Sequence, residues 1–270
     1  MININAIIFS KDRASQLHLL LNSIHKNAPY IFSLNVVYTS SNQEFERGYE
    51  VLKEICRTNL WNVNFVKESN FKEDVMCLLK SDYKYTTFFT DDDVVFGSVD
   101  YETIEKSLQN DDVFCFSLRL GENTTFCYTM NVPNQIVVSN ETENTVSWDW
   151  QKSWYDFGYP LSVDGHIFRT KEIFKLSKPI NFATPNYFEG GLQVYETFPR
   201  HLMESYKHNV LVGVPVNLVN NSHPNLNGQK YSFSTKELND KFLHGILIDL
   251  ESIDFSNIKG CHQELEYKFN

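Results

Sequence analysis

Short apolar runs alternate with amphipathic stretches along the first part of the chain, and this alternation constrains the fold more than any other feature. It predicts strands and helices in turn, at residues 4–9, 17–24, 34–39, 43–57, 61–66, 71–79 and 86–90. Elements that alternate in this way form parallel strands joined by right-handed helical crossovers. The sequence therefore predicts an α/β fold with a mostly parallel central sheet.

The rest of the chain is less regular. Its patterns predict helices at residues 101–109 and 238–246, strands at 113–118 and 210–219, regular structure over 167–176, and a polar, aromatic, turn-rich segment at 119–160. No linker rich in Pro, Gly or Ser divides the chain, which favours one domain over two. We expect a single domain of residues 1–270, with one half at about 1–98 and a mixed half at 99–270.

The composition disfavours several classes of protein. A formal net charge of −10 disfavours sequence-independent nucleic-acid binding, which needs Lys and Arg to neutralise phosphates. No apolar run approaches the roughly 20 residues that span a membrane, and the first residues lack the pattern of a secretory signal. The 5 cysteines are scattered without a C-x-x-C pair, which favours free thiols in a reducing compartment. We therefore expect a cytoplasmic protein that does not bind nucleic acid.

Polar side chains follow the first and fourth predicted strands, where parallel sheets bind their ligands. Residues 10–13 (Ser-Lys-Asp-Arg) follow the first strand, and Asp91, Asp92 and Asp93 follow the fourth. Adjacent carboxylates repel one another and have raised pKa values unless a cation lies among them. Mg²⁺ combines one or two carboxylates with phosphate oxygens, so the triplet suits a metal–diphosphate site. A solvated acidic turn or a helix N-cap is the alternative interpretation.

Together these two segments resemble the nucleotide-binding half of a GT-A glycosyltransferase of the family 2-like, Asp-x-Asp type. That family has a Rossmann-like half with its acidic signature after the fourth core strand. The resemblance implies a Mn²⁺ or Mg²⁺ site held by Asp91 and Asp93, with Asp92 near the ribose or the sugar. It also implies that residues of the N-terminal loop contact the base and ribose of a nucleotide-sugar donor, namely Ser10, Lys11 and Arg13.

Two later segments extend the resemblance. Residues 186–191 (Asn-Tyr-Phe-Glu-Gly-Gly) are similar to the family's second acidic motif, whose acid lies at the acceptor site. Gly190 stands where the family usually has Asp, which leaves Glu189 as the local candidate. Residues 210–223 resemble the strand and histidine that complete the family's metal site. The resemblance therefore implies His223 as a metal ligand, with His262 as the competing candidate.

Two carboxylates are candidates for the catalytic base. Sugar transfer passes through an oxocarbenium-like centre, and in an inverting enzyme a carboxylate deprotonates the acceptor hydroxyl. We assign that role to Glu189 as a hypothesis, with Asp164 as the alternative because the glycine after it suits a tight turn beside a substrate. The purely structural interpretation of Glu189 is an acid in the first turn of a helix.

The turn-rich segment is also rich in aromatic residues. If it were extended, the even spacing of its tryptophans would place them on one face. These side chains would then stack on sugar rings, or they line an ordinary core or an interface. The residues concerned are Trp148, Trp150, Trp154, Tyr155 and Tyr159.

The leading hypothesis is a metal-dependent, inverting glycosyltransferase. It would move a sugar from a nucleotide-sugar donor to a glycan or lipid-linked saccharide acceptor in surface polysaccharide biosynthesis. A sugar nucleotidyltransferase is one alternative, although residues 10–14 lack the glycines of its phosphate-binding loop. A non-catalytic GT-A-like domain that binds nucleotide or glycan is another. The sequence leaves peripheral membrane association and homo-oligomer formation open.

Overall fold

A computed structural model of the chain describes residues 4–195, 198–219 and 228–270. Within them, strands β1–β13 lie at Ile4–Lys11, Phe32–Thr39, Val63–Lys67, Tyr85–Thr90, Asp93–Val95, Val113–Ser117, Phe126–Cys127, Val132–Pro133, Val138–Glu141, Thr145–Asp149, His166–Arg169, Leu202–Tyr206 and Leu211–Gly213. Helices α1–α7 lie at Ala14–Asn27, Gln43–Thr58, Phe71–Leu79, Tyr101–Gln109, Thr170–Ser177, Pro185–Leu192 and Thr235–Leu243. The predicted alternation of strands and helices from β1 to β4 is confirmed.

A 9-stranded sheet runs through the protein in the order β3-β2-β1-β4-β11-β6-β12-β10-β9. Its first four strands are parallel, as predicted. Strands β2 and β4 lie on opposite sides of β1, so the direction of winding reverses between β1 and β4. Open α/β sheets bind their ligands at such a reversal, beyond the carboxyl ends of the strands. The two polar segments predicted from the sequence lie at this position.

The second half of the sheet is mixed. Strand β11 pairs antiparallel with both β4 and β6, and β12 pairs parallel with β6. The sequence patterns did not predict β12. The prediction of a long strand at residues 210–219 is wrong, because β13 contains only Leu211–Gly213 and pairs with the short β5. Pro215 follows closely and has no backbone N–H to continue a ladder.

Both faces of the sheet are covered. Along β1, Ile4, Ala6 and Ile8 belong to one hydrophobic cluster, which also contains three buried leucines of α1. Ile7 and Phe9 belong to a second cluster with the apolar side chains of α3 and α5. This alternation is what a strand buried on both faces requires. The layers hold the carboxyl ends of β1 and β4 side by side at one edge.

Helix α1 begins without a side-chain cap. Neither Ser10 nor Asp12 caps the helix, whose N-cap residue is Arg13 and which has no side-chain cap. Asp12 has a φ of 59°, in the left-handed region, and its carboxylate accepts a hydrogen bond from the backbone N–H of Ser41. The Ser10 hydroxyl instead contacts Asp91 and Tyr49. The turn after β1 is therefore built around the candidate site rather than around the helix.

Neither a disulfide nor a membrane-spanning helix occurs in the described parts of the chain. Each of the five cysteines is a free thiol. None of the helices within residues 4–195, 198–219 and 228–270 has the length and apolar character needed to cross a bilayer.

We expect His18 on α1 to make the stability of the fold sensitive to acid. Its ring lies 5.8 Å from that of Trp61 and 5.7 Å from that of Phe242, and burial lowers its pKa to about 4. An unfolded histidine binds a proton below about pH 6.5, so this contribution to stability is complete above that pH and declines as the pH falls toward 4.

We expect His18→Phe to remove this dependence while keeping a ring in the core. Between pH 7.5 and pH 5, wild type should lose about 2 kcal/mol of unfolding free energy relative to the variant, as measured by urea denaturation. If the difference in unfolding free energy between the two proteins does not change with pH, then His18 has an ordinary pKa in the folded protein.

Candidate active site

A buried arginine organises the first part of the site. Arg13 lies between β1 and α1 and is 7% exposed. One of its terminal nitrogens donates to Asp91 Oδ1 at 2.9 Å and to Asp92 Oδ2 at 3.1 Å. Its Nε donates to the side chain of Asn217 at 2.7 Å. Arg13 therefore connects the ends of β1 and β4 to the segment after β13, and most of its donors are used within the protein.

Asp91 is fully engaged by its neighbours. Beside the Arg13 contact on Oδ1, its Oδ2 accepts hydrogen bonds from the Ser10 hydroxyl at 2.9 Å and from the Lys11 backbone N–H at 3.0 Å. Three donors from the protein leave this carboxylate little capacity for a metal ion. The geometry favours a structural role for Asp91, as the residue that ties the first strand end to the fourth.

Asp93 is different from the other two aspartates. It is 1% exposed, and its Oδ2 accepts a hydrogen bond from the backbone N–H of Thr90 at 2.9 Å. Its Oδ1 is buried and has no hydrogen-bond partner among the described residues. An unpaired, buried carboxylate oxygen is costly, so its presence requires an explanation. A bound cation would supply the missing partner.

The histidine predicted as a competing ligand, His262, lies beside that oxygen. The segment around Cys261 runs along β13, where Gly213 forms an isolated parallel bridge with His262. A Cβ atom placed on Gly213 would be 3.2 Å from His262 Nε2 and 3.5 Å from Asp93 Oδ1. Both potential ligand atoms therefore line the same space in front of Gly213. The other predicted ligand, His223, lies outside the described residues.

Asp164 lies on the far side of this space, just before β11. Its Oδ1 accepts a hydrogen bond from the Thr90 hydroxyl at 3.1 Å, and its Oδ2 lies 3.0 Å from a terminal nitrogen of Arg119. The same Oδ2 is 3.5 Å from His262 Nε2. Burial alone would raise the pKa of Asp164, but the His262 contact and the Arg119 charge outweigh it and hold the pKa below its ordinary value. Asp164 is therefore an ionised group at neutral pH.

Glu189 lies on α6 and contacts the segment that leads to Asp164. Its Oε1 accepts a hydrogen bond from the backbone N–H of Val163 at 3.1 Å. Burial raises the pKa of Glu189, and the charge of Asp164 raises it further. The two candidate bases are thus neighbours whose pKa values are shifted in opposite directions, which is a common arrangement of acid–base groups in enzymes.

Carboxyl groups outnumber positively charged groups among the described residues of this part of the site. Arg119 is the buried cation here, and it pairs with Asp164 and, at 3.8 Å, with Asp156. Asp93 and Glu189 add two further carboxyl groups. Burial raises the pKa of Asp93 well above its ordinary value, and the charges of Asp164 and Asp92 add to the effect. The raised pKa predicted for the aspartate triplet is thus found at Asp93, and burial also raises the pKa of Asp91, to about 6.

The chemistry of these side chains fits a divalent cation. Within residues 4–195, 198–219 and 228–270, no three His, Cys, Asp or Glu side chains are grouped so that they could hold a metal ion by themselves. Asp93 and His262 nevertheless offer one unpaired carboxylate oxygen and one ring nitrogen to the same space. Mg²⁺ and Mn²⁺ accept such an incomplete set when phosphate oxygens and water complete their coordination.

The remaining sequence-predicted residues are distributed as follows. The Lys11 side chain is exposed at the end of β1. Trp148 and Trp150 are buried, whereas Trp154 is exposed, so the expectation that the three tryptophans share one face is wrong. The reason is that β10 ends at Asp149 and the chain turns into a short 3₁₀ helix there.

Arg119 was not singled out in the sequence. It is the second residue after β6, and β6 has the same direction as β4, so Arg119 lies at the same edge of the sheet. Polar residues after an apolar strand were the signal used for the segments after β1 and β4. Applied to residues 113–119, the same rule would have found it.

Because Gly213 has no side chain, the His262 ring has room to lie beside Asp93. A substitution at Gly213 therefore tests the metal site. An added methyl group would lie 2.6 Å from Cδ2 of His262, closer than carbon atoms approach. We expect Gly213→Ala to displace the ring and to weaken Mn²⁺ binding by about 10-fold or more, as measured by calorimetry with Mn²⁺ alone. Gly190→Ala is the control, because its methyl group would meet no atom within 4 Å. Equal Mn²⁺ affinity in both variants would remove His262 from the metal site.

Comparisons with known proteins agree with this architecture. No protein-family model matches the chain. It is 26% identical over 300 aligned positions to "Bifunctional glycosyltransferase pgtA" of Dictyostelium discoideum, an alignment that includes 89% of this chain and 38% of that protein. The chain thus spans well under half the length of this curated relative.

A solved structure shows the same fold. GalNAc-T7, in a crystal structure with UDP, GalNAc and Mn²⁺, superposes with a TM-score of 0.50 over 89% of this chain and 48% of that one, at 12% sequence identity. S. aureus TarS (residues 1–349, with UDP) matches with a TM-score of 0.49 over 78% of this chain and 59% of that one, at 14% identity. The superposition with GalNAc-T7 shows the GT-A fold that the motifs predicted, and the sequence is similar to that of a curated glycosyltransferase.

Proposed function

We propose that the chain transfers a sugar from a nucleotide-sugar donor to a saccharide acceptor, with Mn²⁺ or Mg²⁺ bound by Asp93 and His262. The observation that carries this proposal is the unpaired, buried Oδ1 of Asp93 beside His262 Nε2, at the point where the winding of a parallel sheet reverses. The sequence similarity to a glycosyltransferase supports it.

The aspartate triplet divides its roles in this proposal. Asp91 links Ser10 and Arg13 and fixes the shape of the strand ends, while Asp93 holds the metal. Asp92 is paired with Arg13 and is less buried than Asp91, so it is available to the ribose or sugar of the donor. When bound, the divalent cation would neutralise the negative charge that develops on the leaving diphosphate.

The acceptor side of the reaction is assigned to Glu189. A general base works best when its pKa is close to the working pH, and the raised pKa of Glu189 meets that condition better than the lowered pKa of Asp164. Glu189 would take the proton from the acceptor hydroxyl as that oxygen attacks the anomeric carbon. Asp164 remains ionised between Arg119 and His262, with its Oδ2 facing the same Nε2 atom of His262 that we assign to the cation.

Attack by a deprotonated hydroxyl on the face opposite the leaving group inverts the anomeric centre, so we propose an inverting reaction. The acceptor is proposed to be a glycan or a lipid-linked saccharide in surface polysaccharide biosynthesis. The cytoplasmic location and the single-domain organisation stay predictions from the sequence.

Isothermal titration calorimetry tests the proposal directly. UDP and GDP are titrated into the protein with Mn²⁺, with Mg²⁺, and with EDTA; the GT-A structure that contains UDP and Mn²⁺ makes this pair the first choice. We expect binding with metal and a loss of at least about 10-fold in affinity with EDTA. A donor panel, scored by the nucleoside diphosphate released, then identifies the sugar.

Nucleotide binding that is equally strong in EDTA would contradict the metal site. If no nucleoside diphosphate binds with either cation, the glycosyltransferase proposal fails. Nuclear magnetic resonance of the product formed from the selected donor decides the stereochemistry, and retention would remove the base role from Glu189.

A further inference from the structure

A second buried polar atom near the site has no partner among the described residues. Tyr267 is 3% exposed, and its hydroxyl forms no hydrogen bond with the described parts of the chain. Burying a hydroxyl without a hydrogen bond destabilises a protein, so native structures rarely leave one unsatisfied. Like the Oδ1 of Asp93, the Tyr267 hydroxyl therefore requires an explanation.

The Tyr267 side chain is held firmly in place. Next to it in the chain, the carbonyl of Lys268 accepts a hydrogen bond from the backbone N–H of Asp249 at 2.8 Å. The Tyr267 ring stacks on the ring of Phe233, with centroids 6.1 Å apart and ring planes 20° apart. The hydroxyl is therefore fixed in advance, which lowers the entropy lost when it binds a ligand.

Apolar packing places this ring beside the aspartate triplet. Tyr267 belongs to a hydrophobic cluster that also contains Val94 and Val214. Val94 follows Asp93 directly in the chain. The backbone N–H of Val214 donates a hydrogen bond to the carbonyl of Asp92 at 2.8 Å. The cluster that holds the ring is thus attached to the backbone of the triplet.

A series of polar contacts makes the same connection. The carbonyl of Phe233, on which Tyr267 stacks, accepts a hydrogen bond from Asn217 Nδ2 at 3.0 Å. Asn217 Oδ1 accepts one from Arg13 Nε at 2.7 Å, and Arg13 donates to Asp92 Oδ2 at 3.1 Å. Packing and hydrogen bonds therefore both lead from Tyr267 to Asp92.

The charges of the site act on the hydroxyl. Burial raises the pKa of Tyr267, and the charge of Asp92 raises it further, while Arg13 lowers it and Asp91 raises it by smaller amounts. The hydroxyl therefore keeps its proton at every ordinary working pH. It is an O–H donor that faces the acidic group of the site.

Asp92 supplies the complementary acceptor. Its Oδ2 accepts from Arg13, and its side chain is 19% exposed, so the carboxylate keeps acceptor positions for a ligand. Tyr267 and Asp92 are not hydrogen-bonded to each other. A ligand hydroxyl would satisfy both, because it accepts one hydrogen bond and donates another. A phosphate oxygen only accepts, and the Asp92 charge repels it.

We propose that Tyr267 donates a hydrogen bond to a hydroxyl group of the nucleotide-sugar donor, and that the same hydroxyl donates to Asp92. This inference rests on the proposed function. It adds a residue that selects donors by the presence of that hydroxyl, which belongs either to the ribose or to the transferred sugar.

Tyr85 provides a matched control. It is 1% exposed, and its hydroxyl also lacks a hydrogen bond with the described residues. It begins β4, at the opposite edge of the sheet from Asp92. There the pKa of Lys84 is raised first by its contact with Glu105 and next by its contact with the Tyr85 hydroxyl. The flexible Lys84 side chain is thus within reach of Tyr85, and no ligand is needed to explain that hydroxyl.

Calorimetry in Mn²⁺ with Tyr267→Phe and Tyr85→Phe tests the inference. The probes are UDP, GDP and the 2′-deoxy and 3′-deoxy forms of each, and the KM of the donor selected from the panel is measured as well. We expect Tyr267→Phe to weaken nucleoside diphosphate binding, or to raise the KM of the donor, by at least about 5-fold. Tyr85→Phe should change neither.

The deoxy analogues identify the source of the hydroxyl. If it belongs to the ribose, wild type should bind one deoxy analogue more weakly than its parent, and Tyr267→Phe should bind the two equally. If it belongs to the transferred sugar, Tyr267→Phe should bind the nucleoside diphosphate as wild type does and should raise only the KM of the donor.

Thermal unfolding in EDTA without nucleotide separates a ligand contact from a structural one. Because the hydroxyl has no partner among the described residues, Tyr267→Phe should unfold at the wild-type temperature or above it. A clearly lower melting temperature would show that the hydroxyl is already hydrogen-bonded in the free protein, and it would overturn the inference.

The remaining outcomes distinguish this inference from the proposed function. If Tyr267→Phe changes neither nucleotide binding nor the KM of the donor, the inference fails and the glycosyltransferase proposal stands. Weaker nucleotide binding that keeps the full wild-type preference for the ribose hydroxyls would assign the contact to phosphate and also overturn it. If wild type binds no nucleoside diphosphate with metal, the proposed function fails, and the inference fails with it.

Discussion

Replacing Asp93 with Asn is expected to lower the affinity for a nucleoside diphosphate in Mn²⁺ by at least about 100-fold. An amide keeps the shape of the side chain and still accepts the hydrogen bond from the Thr90 N–H. It removes the charge and presents an N–H₂ group or a weaker neutral oxygen to the cation. Because loss of a residue that merely supports a metal ligand costs 10–100-fold, loss of a ligand should cost more.

The same substitution should stabilise the metal-free protein. Asp93 is buried with one unpaired oxygen, and the charges of Asp164 and Asp92 raise its pKa further. Neutralising it removes that repulsion without removing the Thr90 contact. We expect the melting temperature in EDTA to rise by about 2–4 °C, the shift that roughly 1 kcal/mol produces in a chain of this size. Opposite changes in binding and stability are typical of a site built for a ligand.

Asp82→Asn is the matched control for both measurements. Asp82 is exposed and precedes β4, so it lies at the opposite edge of the sheet from the aspartate triplet. It should change neither the nucleotide affinity nor the melting temperature by a measurable amount. If Asp93→Asn retains metal-dependent nucleotide binding, the cation lies elsewhere and the division of roles within the triplet is wrong.

Local patterns were sufficient to predict the half of the fold that is built from local units. Each strand and helix from β1 to β4 has its own apolar period, and crossovers have a fixed hand, so the parallel sheet follows from the order of elements. Strand β12 was missed because its partners are distant in sequence. It pairs parallel with β6 on one side and antiparallel with β10 on the other. Its half-buried residues make sense only when those partners are known.

The site shows the same division between local and distant information. The rule that ligands bind at strand ends placed Arg13 and the aspartates together. It did not predict that Arg13 would donate hydrogen bonds to Asp91 and Asn217. The contact with Asn217 joins residues that are separated by 204 positions in the sequence. The proximity of His262 to Asp93 likewise depends on Gly213, whose importance is a matter of space rather than of sequence pattern.

Replacing Glu189 with Gln is expected to lower turnover of the selected donor by about 10²–10⁴-fold, the contribution of a general base. Nucleotide binding in Mn²⁺ should be unchanged, since Glu189 contacts the Val163 N–H and not the proposed metal ligands. In wild type, activity should decline as acid protonates Glu189. Because its pKa is raised, that decline should begin at a higher pH than for an ordinary glutamate. The pH profile of kcat/KM measures this.

The comparison with Asp164→Asn decides which carboxylate is the base. Asp164 pairs with Arg119 and contacts His262, so its loss should disturb the imidazole and weaken metal and donor binding as well as turnover. A base that acts only on the acceptor should change kcat alone, and Glu189→Asp, which keeps the carboxylate on a shorter side chain, should recover part of it. If Glu189→Gln turns over at a near-normal rate and Asp164→Asn loses kcat with donor affinity intact, the base is Asp164. Glu189 then acts by holding the Val163 backbone that positions it.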